Sequence, residues 1–156
     1  SMTNDIVAIN QLLNEYCHTV DRGTAREVSD LFSPDAALKP YFDDKYDVIG
    51  RPEIERWYAH YMENFRGNIR HLKHMIVSPV IKAEASQANS VCYFLASAVN
   101  NETNMGFSAT GIYSDKLEKL EGKWMLSERC ITVETTTPEI TVSEEFPSLE
   151  FPRIKP

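Results

Sequence analysis

The spacing of hydrophobic positions changes once along this chain, near residue 70. Before that point they recur every three or four residues, and after it they alternate. Ile6, Ile9, Leu12, Leu13, Tyr16, Cys17 and Val20 lay one apolar stripe along about four helical turns. Thr3, Asn4 or Asp5 can cap the start of that helix, and Gly23 supplies its stop. A short second helix carries Ala25, Val28, Leu31 and Phe32 on one face and ends at Pro34. Ala36, Leu38, Tyr41 and Phe42 suggest a short strand that Pro40 confines to an edge, with Asp43-Asp44-Lys45 as the turn after it. Gly50-Arg51-Pro52-Glu53 opens a third helix. Its apolar face is Ile54, Trp57, Tyr58, Tyr61, Met62 and Phe65, and Gly67 breaks it.

Four alternating runs follow, near 71–82, 89–100, 104–119 and 123–136. Turn-prone stretches at 84–89, 100–104 and 121–122 separate them, and such short connections favour an antiparallel meander. The run Val91 to Val99 is apolar on both faces, which marks it as a central strand. Helices first and strands afterwards is the α+β class, a curved sheet wrapping amphipathic helices and leaving an apolar pocket at one mouth. Residues 1–136 form one domain. The tail 137–156, with Pro138, Pro147, Pro152 and Pro156 among charges, forms no regular element.

Composition narrows the function. The chain has 156 residues, 42% of them hydrophobic and 25% charged, which suits a single globular domain. Its net charge of −7 argues against nucleic-acid or membrane-surface partners. Cys17, Cys92 and Cys130 contain no CxxC pair and are odd in number, which points to a reducing cytoplasm. No glycine pattern for nucleotide phosphates and no GxSxG nucleophile elbow occurs.

Two residues stand out chemically. On a strand, Leu72, His74 and Ile76 share one face while His71, Lys73 and Met75 share the other; Lys73 marks the second face as the wet one. His74 is then an inward imidazole, either a satisfied core histidine or a base. Asp21 closes the apolar stripe of the first helix. It is either a solvated helix-end residue or the partner that fixes a histidine's tautomer. His71 and His74 on opposite faces cannot share a metal ion. Tyr16, Tyr41, Tyr58 and Tyr93 can each present a hydroxyl to a pocket, and Trp57 and Trp124 read as core.

Several segments together resemble a known family. They are Tyr16-Cys17-His18-Thr19-Val20-Asp21-Arg22-Gly23, Leu31-Phe32-Ser33-Pro34-Asp35-Ala36, Gly50-Arg51-Pro52-Glu53-Ile54 and Arg70-His71-Leu72-Lys73-His74, followed by Gly111-Ile112-Tyr113-Ser114-Asp115 and Gly122-Lys123-Trp124-Met125-Leu126. As a set, over about residues 5–136, they resemble a SnoaL-like domain of the nuclear transport factor 2-like superfamily. That resemblance implies a cone-shaped half-barrel, helices packed on a strongly curved mixed or antiparallel sheet, and a homodimer. The nearest pattern is that of scytalone dehydratase, hexachlorocyclohexane dehydrochlorinase and bile-acid 7α-dehydratase, whose Asp-His dyad falls here on Asp21 and His74. The dyad removes a proton from substrate carbon with no metal or organic cofactor. Scytalone dehydratase's second histidine has Asn100-Asn101 in its place, its pocket serine and asparagine fall near Ala109 and Gly111, and of its water-binding tyrosines only Tyr41 has a counterpart.

The resemblance thus implies a lyase of the dehydratase kind, or an isomerase, acting on a small, largely apolar ring compound. His74 is the base, Asp21 its orienter and Tyr41 a donor to the leaving group, in a pocket of Tyr16, Trp57, Tyr58, Phe94 and Phe107. The alternative is a non-catalytic shell of the same fold that binds a small molecule or serves dimerisation. The small subunit of a ring-hydroxylating dioxygenase is a third possibility.

Overall fold

The computed structural model describes residues 1–41 and 46–138. Helix α1 (Met2–Arg22) buries Ile9, Leu12, Leu13, Tyr16, Cys17 and Val20, while Ile6 remains 36% exposed. Its cap is Ser1, not one of the three residues after Met2: the Ser1 hydroxyl accepts from the Asn4 amide. Gly23 closes the other end, its N–H bonding to the Thr19 carbonyl at 2.7 Å.

Helix α2 is shorter than its pattern predicts, Ala25–Ser29. Thr24 and Glu27 form a capping box that starts it. Leu31 and Phe32 then leave the helix because the sheet competes for their backbone. The Leu31 carbonyl accepts from the Leu126 amide at 2.9 Å, and Phe32 opens strand β1 (Phe32–Pro40). Phe32 still reaches the core as a strand residue.

Strand β2 (Val48–Ile49) and helix α3 (Arg51–Asn64) follow, then a 3₁₀ turn at Arg66–Asn68 that contains Gly67. The long strands are β3 (Ile69–Glu84), β4 (Gln87–Asn100), β5 (Gly106–Leu120) and β6 (Lys123–Thr137). The sheet order is β2-β1-β6-β5-β4-β3 and it does not close on itself. The four long strands are the expected antiparallel meander, and β1 adds to β6 in parallel. Strand β1 is therefore not an edge. Pro40 is accommodated because β2 pairs with Ala37 and Leu38, and among the described residues nothing pairs with that side of Pro40. Phe42 and the turn at Asp43-Asp44-Lys45 lie outside the described residues, as does the tail after Pro138.

One face of the sheet carries the helices and the core. Ile9, Leu13, Val28, Leu38, Ile54, Leu117 and Leu126 are fully buried there. Inside this core lies an ion pair: Arg129 Nε and Nη2 donate to the two oxygens of Asp115 at 2.8 and 2.7 Å, with both side chains 0% exposed. On the other face Met75, Val77, Val80, Val91 and Tyr93 are 43–61% exposed, with Val77 opposite Tyr93 and Val80 opposite Val91. Strand β4 is interior to the sheet as its apolar run predicts. Alternation nevertheless turns Tyr93 outward, so its hydroxyl reaches no interior pocket. No helix among the described residues is long and apolar enough to cross a membrane.

Candidate active site

Two backbone features bring Asp21 to His74. Arg66 donates to the carbonyls of Val20 and Gly23 at 3.1 and 2.8 Å, tying down the end of α1 on either side of Asp21. On β3, His71 has φ +58° within a register shift between Arg70 and Lys73. This bulge resets the alternation so that Leu72, His74 and Ile76 turn toward the helices while His71, Lys73 and Met75 stay exposed.

The contact has two points. Asp21 Oδ1 lies 2.6 Å from His74 Nδ1, and Oδ2 accepts the His74 backbone N–H at 2.9 Å. The side chains are 4% and 11% exposed. An ionised carboxylate only accepts, so Nδ1 donates to it, and in the neutral imidazole that tautomer leaves the lone pair on Nε2. Among the described residues no group bonds to Nε2. The exposed Arg22 approaches Asp21 Oδ2 at 3.6 Å from the solvent side.

His74 forms part of the wall of an interior cavity of about 100 Å³ between α1, α3 and the sheet. Tyr16, Trp57, Tyr58, Phe94 and Phe107 all line it. Asp21 stands behind the imidazole and opens instead onto an outer, more polar cleft with His18, Arg22 and Lys73. Tyr41 lines neither space. Its hydroxyl donates to Asp47 at 3.1 Å, so the structure does not bring it to the dyad. Among the described residues no three His, Cys, Asp or Glu side chains gather as a metal site.

Sequence reading missed several cavity residues. Tyr61 and Phe65 on α3, and Tyr113 on β5, line the cavity. The helical period of α3 places Tyr61 and Phe65 beside Trp57 and Tyr58, so that signal was available. The Tyr16 and Tyr58 hydroxyls bond each other across it. Burial pushes the Tyr58 phenol well above its ordinary value, with the neighbouring Tyr16 adding to it. Burial also raises Tyr16, though the Arg129 charge and the bond from Tyr58 oppose that rise. Arg129 itself lies between the rings of Tyr16 and Tyr113, its guanidinium carbon 4.1 Å from each centroid. Phe94 stacks on Tyr113 at 4.4 Å, made possible by Gly111, where a Cβ would fall 2.8 Å from the Phe94 ring and 1.8 Å from the Thr132 carbonyl.

The architecture has solved relatives of low sequence identity. A candidate scytalone dehydratase from Novosphingobium aromaticivorans superposes with a TM-score of 0.75 at 20% identity, covering 86% of this chain and 87% of its own. A candidate aromatic ring hydroxylase from the same organism gives 0.71 at 20% identity, covering 86% and 93%. An NTF2-like protein with a cystatin-like fold, also from Novosphingobium aromaticivorans, gives 0.70 at 15% identity, covering 85% and 83%. At these identities the likeness establishes the nuclear transport factor 2-like fold alone. No curated protein matches the chain by sequence. A family profile does match, over residues 1–130. This chain belongs to the SnoaL-like domain family.

Proposed function

We propose that residues 1–136 form a cofactor-independent lyase or isomerase that removes a proton from carbon in a small, largely apolar ring compound. One observation carries this reading: His74, which lines an apolar cavity, is gripped through Nδ1 by a buried carboxylate, and among the described residues no group bonds its other nitrogen. Asp21 fixes the tautomer and stabilises the imidazolium that forms, and Nε2 is the base. A positioned base of this kind contributes about 10²–10⁴ in rate. Tyr41 has no part, because its hydroxyl is committed to Asp47 away from the cavity.

The test needs no known substrate. Small cyclic ketones are incubated with the protein in D₂O and exchange of C–H for C–D is followed by NMR. The wild type accelerates exchange for at least one ring, and His74→Gln loses that acceleration. Equal exchange in both proteins overturns the reading. Binding of the same ketones without exchange identifies the ligand-holding shell instead.

The working unit in this proposal is a homodimer, and the outward face of β3 and β4 is where a second copy packs. Met75, Val77, Val80, Val91 and Tyr93 make one continuous apolar patch there, which a second copy covers with the same residues. Val77→Glu with Tyr93→Lys yields the mass of a single chain by sedimentation, where the wild type yields twice that mass. Three free thiols fit a reducing, cytoplasmic setting.

A further inference from the structure

A bulge on β3 and another on β6 act on the same cross-strand row. On β3 the irregularity at His71 turns His74 toward the cavity. On β6 the partners of Gly111 and Thr110 are Val133 and Thr135, so β6 spends one more residue than β5 between those two pairs. That extra residue flips the alternation at the end of the strand. Ile131 and Val133 line the cavity, and plain alternation would bring Thr135 in after them. Instead Thr135 is exposed, its hydroxyl bonded to that of Thr110, and Thr136 lines the cavity.

The row itself runs straight across the sheet. His74 pairs with Ala96, Ala96 with Ala109, and Ala109 with Thr136, and all four residues line the cavity. The two middle positions carry only methyl groups, so the row is a trough with a polar side chain at each end. Phe94 and Phe107 also line the cavity, each two residues before an alanine on its own strand. Because β4 and β5 are antiparallel, the two rings stand on opposite sides of the row. His74 and Thr136 are three strand spacings apart, about 14 Å along the sheet. A contact of about 3 Å at each end leaves about 8 Å for a ligand. That is the length of one six-membered ring with a polar substituent, and a cavity of about 100 Å³ holds no second ring. A threonine hydroxyl donates one bond and accepts two, so Thr136 can hold a ligand group alongside a protein partner.

We propose that this row is the ligand trough, that Thr136 holds a polar substituent of the ligand at the end away from His74, and that Ala96 and Ala109 set the limit on ligand size. The ligand class is a single flat ring bearing one oxygen substituent on the side opposite the carbon that faces His74. Its apolar face rests on the two alanine methyls, between the Phe94 and Phe107 rings. The bond to Thr136 fixes which ring carbon comes to Nε2, so Thr136 is a positioning residue. The trough stands on strand register alone, whereas its use in a reaction rests on His74 acting as base.

Two probes of one shape separate the hydroxyl's part from the trough's: 4-methylphenol, and 1,4-dimethylbenzene, in which a methyl group replaces the phenol oxygen. Binding to the full chain is followed by NMR titration, and the wild type binds both. Thr136→Val weakens 4-methylphenol about threefold to tenfold and does not weaken 1,4-dimethylbenzene. Thr135→Val, on the outer face, changes neither affinity. Ala109→Leu, shown to be folded by circular dichroism, loses both probes. Failure of the wild type to bind either probe overturns the assignment. So does an unchanged 4-methylphenol affinity in Thr136→Val, an equal loss of both probes in that variant, or a loss as large in Thr135→Val. A folded Ala109→Leu that binds both probes like the wild type overturns the size limit. If Ala109→Leu does not fold, the Thr136→Val comparison decides alone. Should Thr136 matter as expected while no ring exchanges deuterium, the base assignment fails and the trough survives.

Discussion

Asp115→Asn would keep the shape of the side chain at that position but strip Arg129 of its counter-charge. Both side chains are fully buried, and the carboxylate takes two of the guanidinium's donors at 2.8 and 2.7 Å. Among the described residues the Nη1 donor has no hydrogen-bond partner, and the Tyr16 and Tyr113 rings flank the guanidinium. Breaking such a pair from one side costs about 3–5 kcal/mol, because the remaining ion keeps its desolvation penalty without its attraction. For a domain of this size about 2–4 °C in Tm accompanies each kcal/mol, so the melting point should fall by about 6–20 °C. Circular dichroism melts, with urea midpoints at fixed pH, read this directly. The double change Asp115→Leu with Arg129→Met removes both charges and should restore stability to within about 1.5 kcal/mol of the wild type. A single substitution costing under about 1 kcal/mol would mean the pair is hydrated, and the reasoning would fail.

Four further outcomes follow from the same geometry. Gly111→Ala places a Cβ 1.8 Å from the Thr132 carbonyl and should lower stability by at least about 1–3 kcal/mol in urea titrations. Thr24→Ala removes the capping box of α2 and should cost about 1 kcal/mol in the same assay. Burial pushes the Cys17 and Cys92 thiols up to about 11, so at pH 8 in native protein neither should react with Ellman's reagent, while both react after urea unfolding. The Trp124 and Lys119 side chains hold the Asp5 carboxyl below its ordinary 3.8. A lowered carboxyl stabilises above that ordinary value and loses its contribution as pH falls through the lowered one. Asp5→Asn should therefore be less stable than wild type at pH 6, with the gap closing near pH 2.

The helices and the long strands were legible because each has one dominant period. The stripe from Ile9 to Val20 and the alternation at Leu72, His74 and Ile76 each point to a single face, and the structure uses those faces. Local signals were less decisive where tertiary bonds competed with them. Leu31 and Phe32 continue a helical spacing, but the Leu126 amide captures the Leu31 carbonyl and turns the chain into β1. Asp21 and His74 are 53 residues apart, and only the family resemblance suggested that they touch; the helix end and the bulge at His71 make the contact. Tyr41 was a donor by resemblance alone, and Asp47, six residues on, takes its hydroxyl. Arg129 was not legible at all. Its partner Asp115 lies on the neighbouring strand, and a lone arginine in an alternating strand reads as surface.

Stability alone does not explain why the core keeps that arginine. Replacing a buried ion pair with well-packed hydrophobic side chains is often neutral or stabilising, so a purely structural pair is replaceable. What a leucine and a methionine cannot supply is a positive charge 4.1 Å beneath the ring of Tyr16. The double variant therefore separates two roles that the single variant confounds. If Arg129 serves the fold alone, Asp115→Leu with Arg129→Met folds and its buried phenols titrate in ultraviolet difference spectra as those of the wild type do. If its charge acts on the Tyr16 hydroxyl, the same protein melts near the wild-type temperature yet its Tyr16 phenol ionises at higher pH, because the cation that opposed the burial penalty is gone. A well-folded double variant with an unchanged tyrosine titration would leave Arg129 a packing residue.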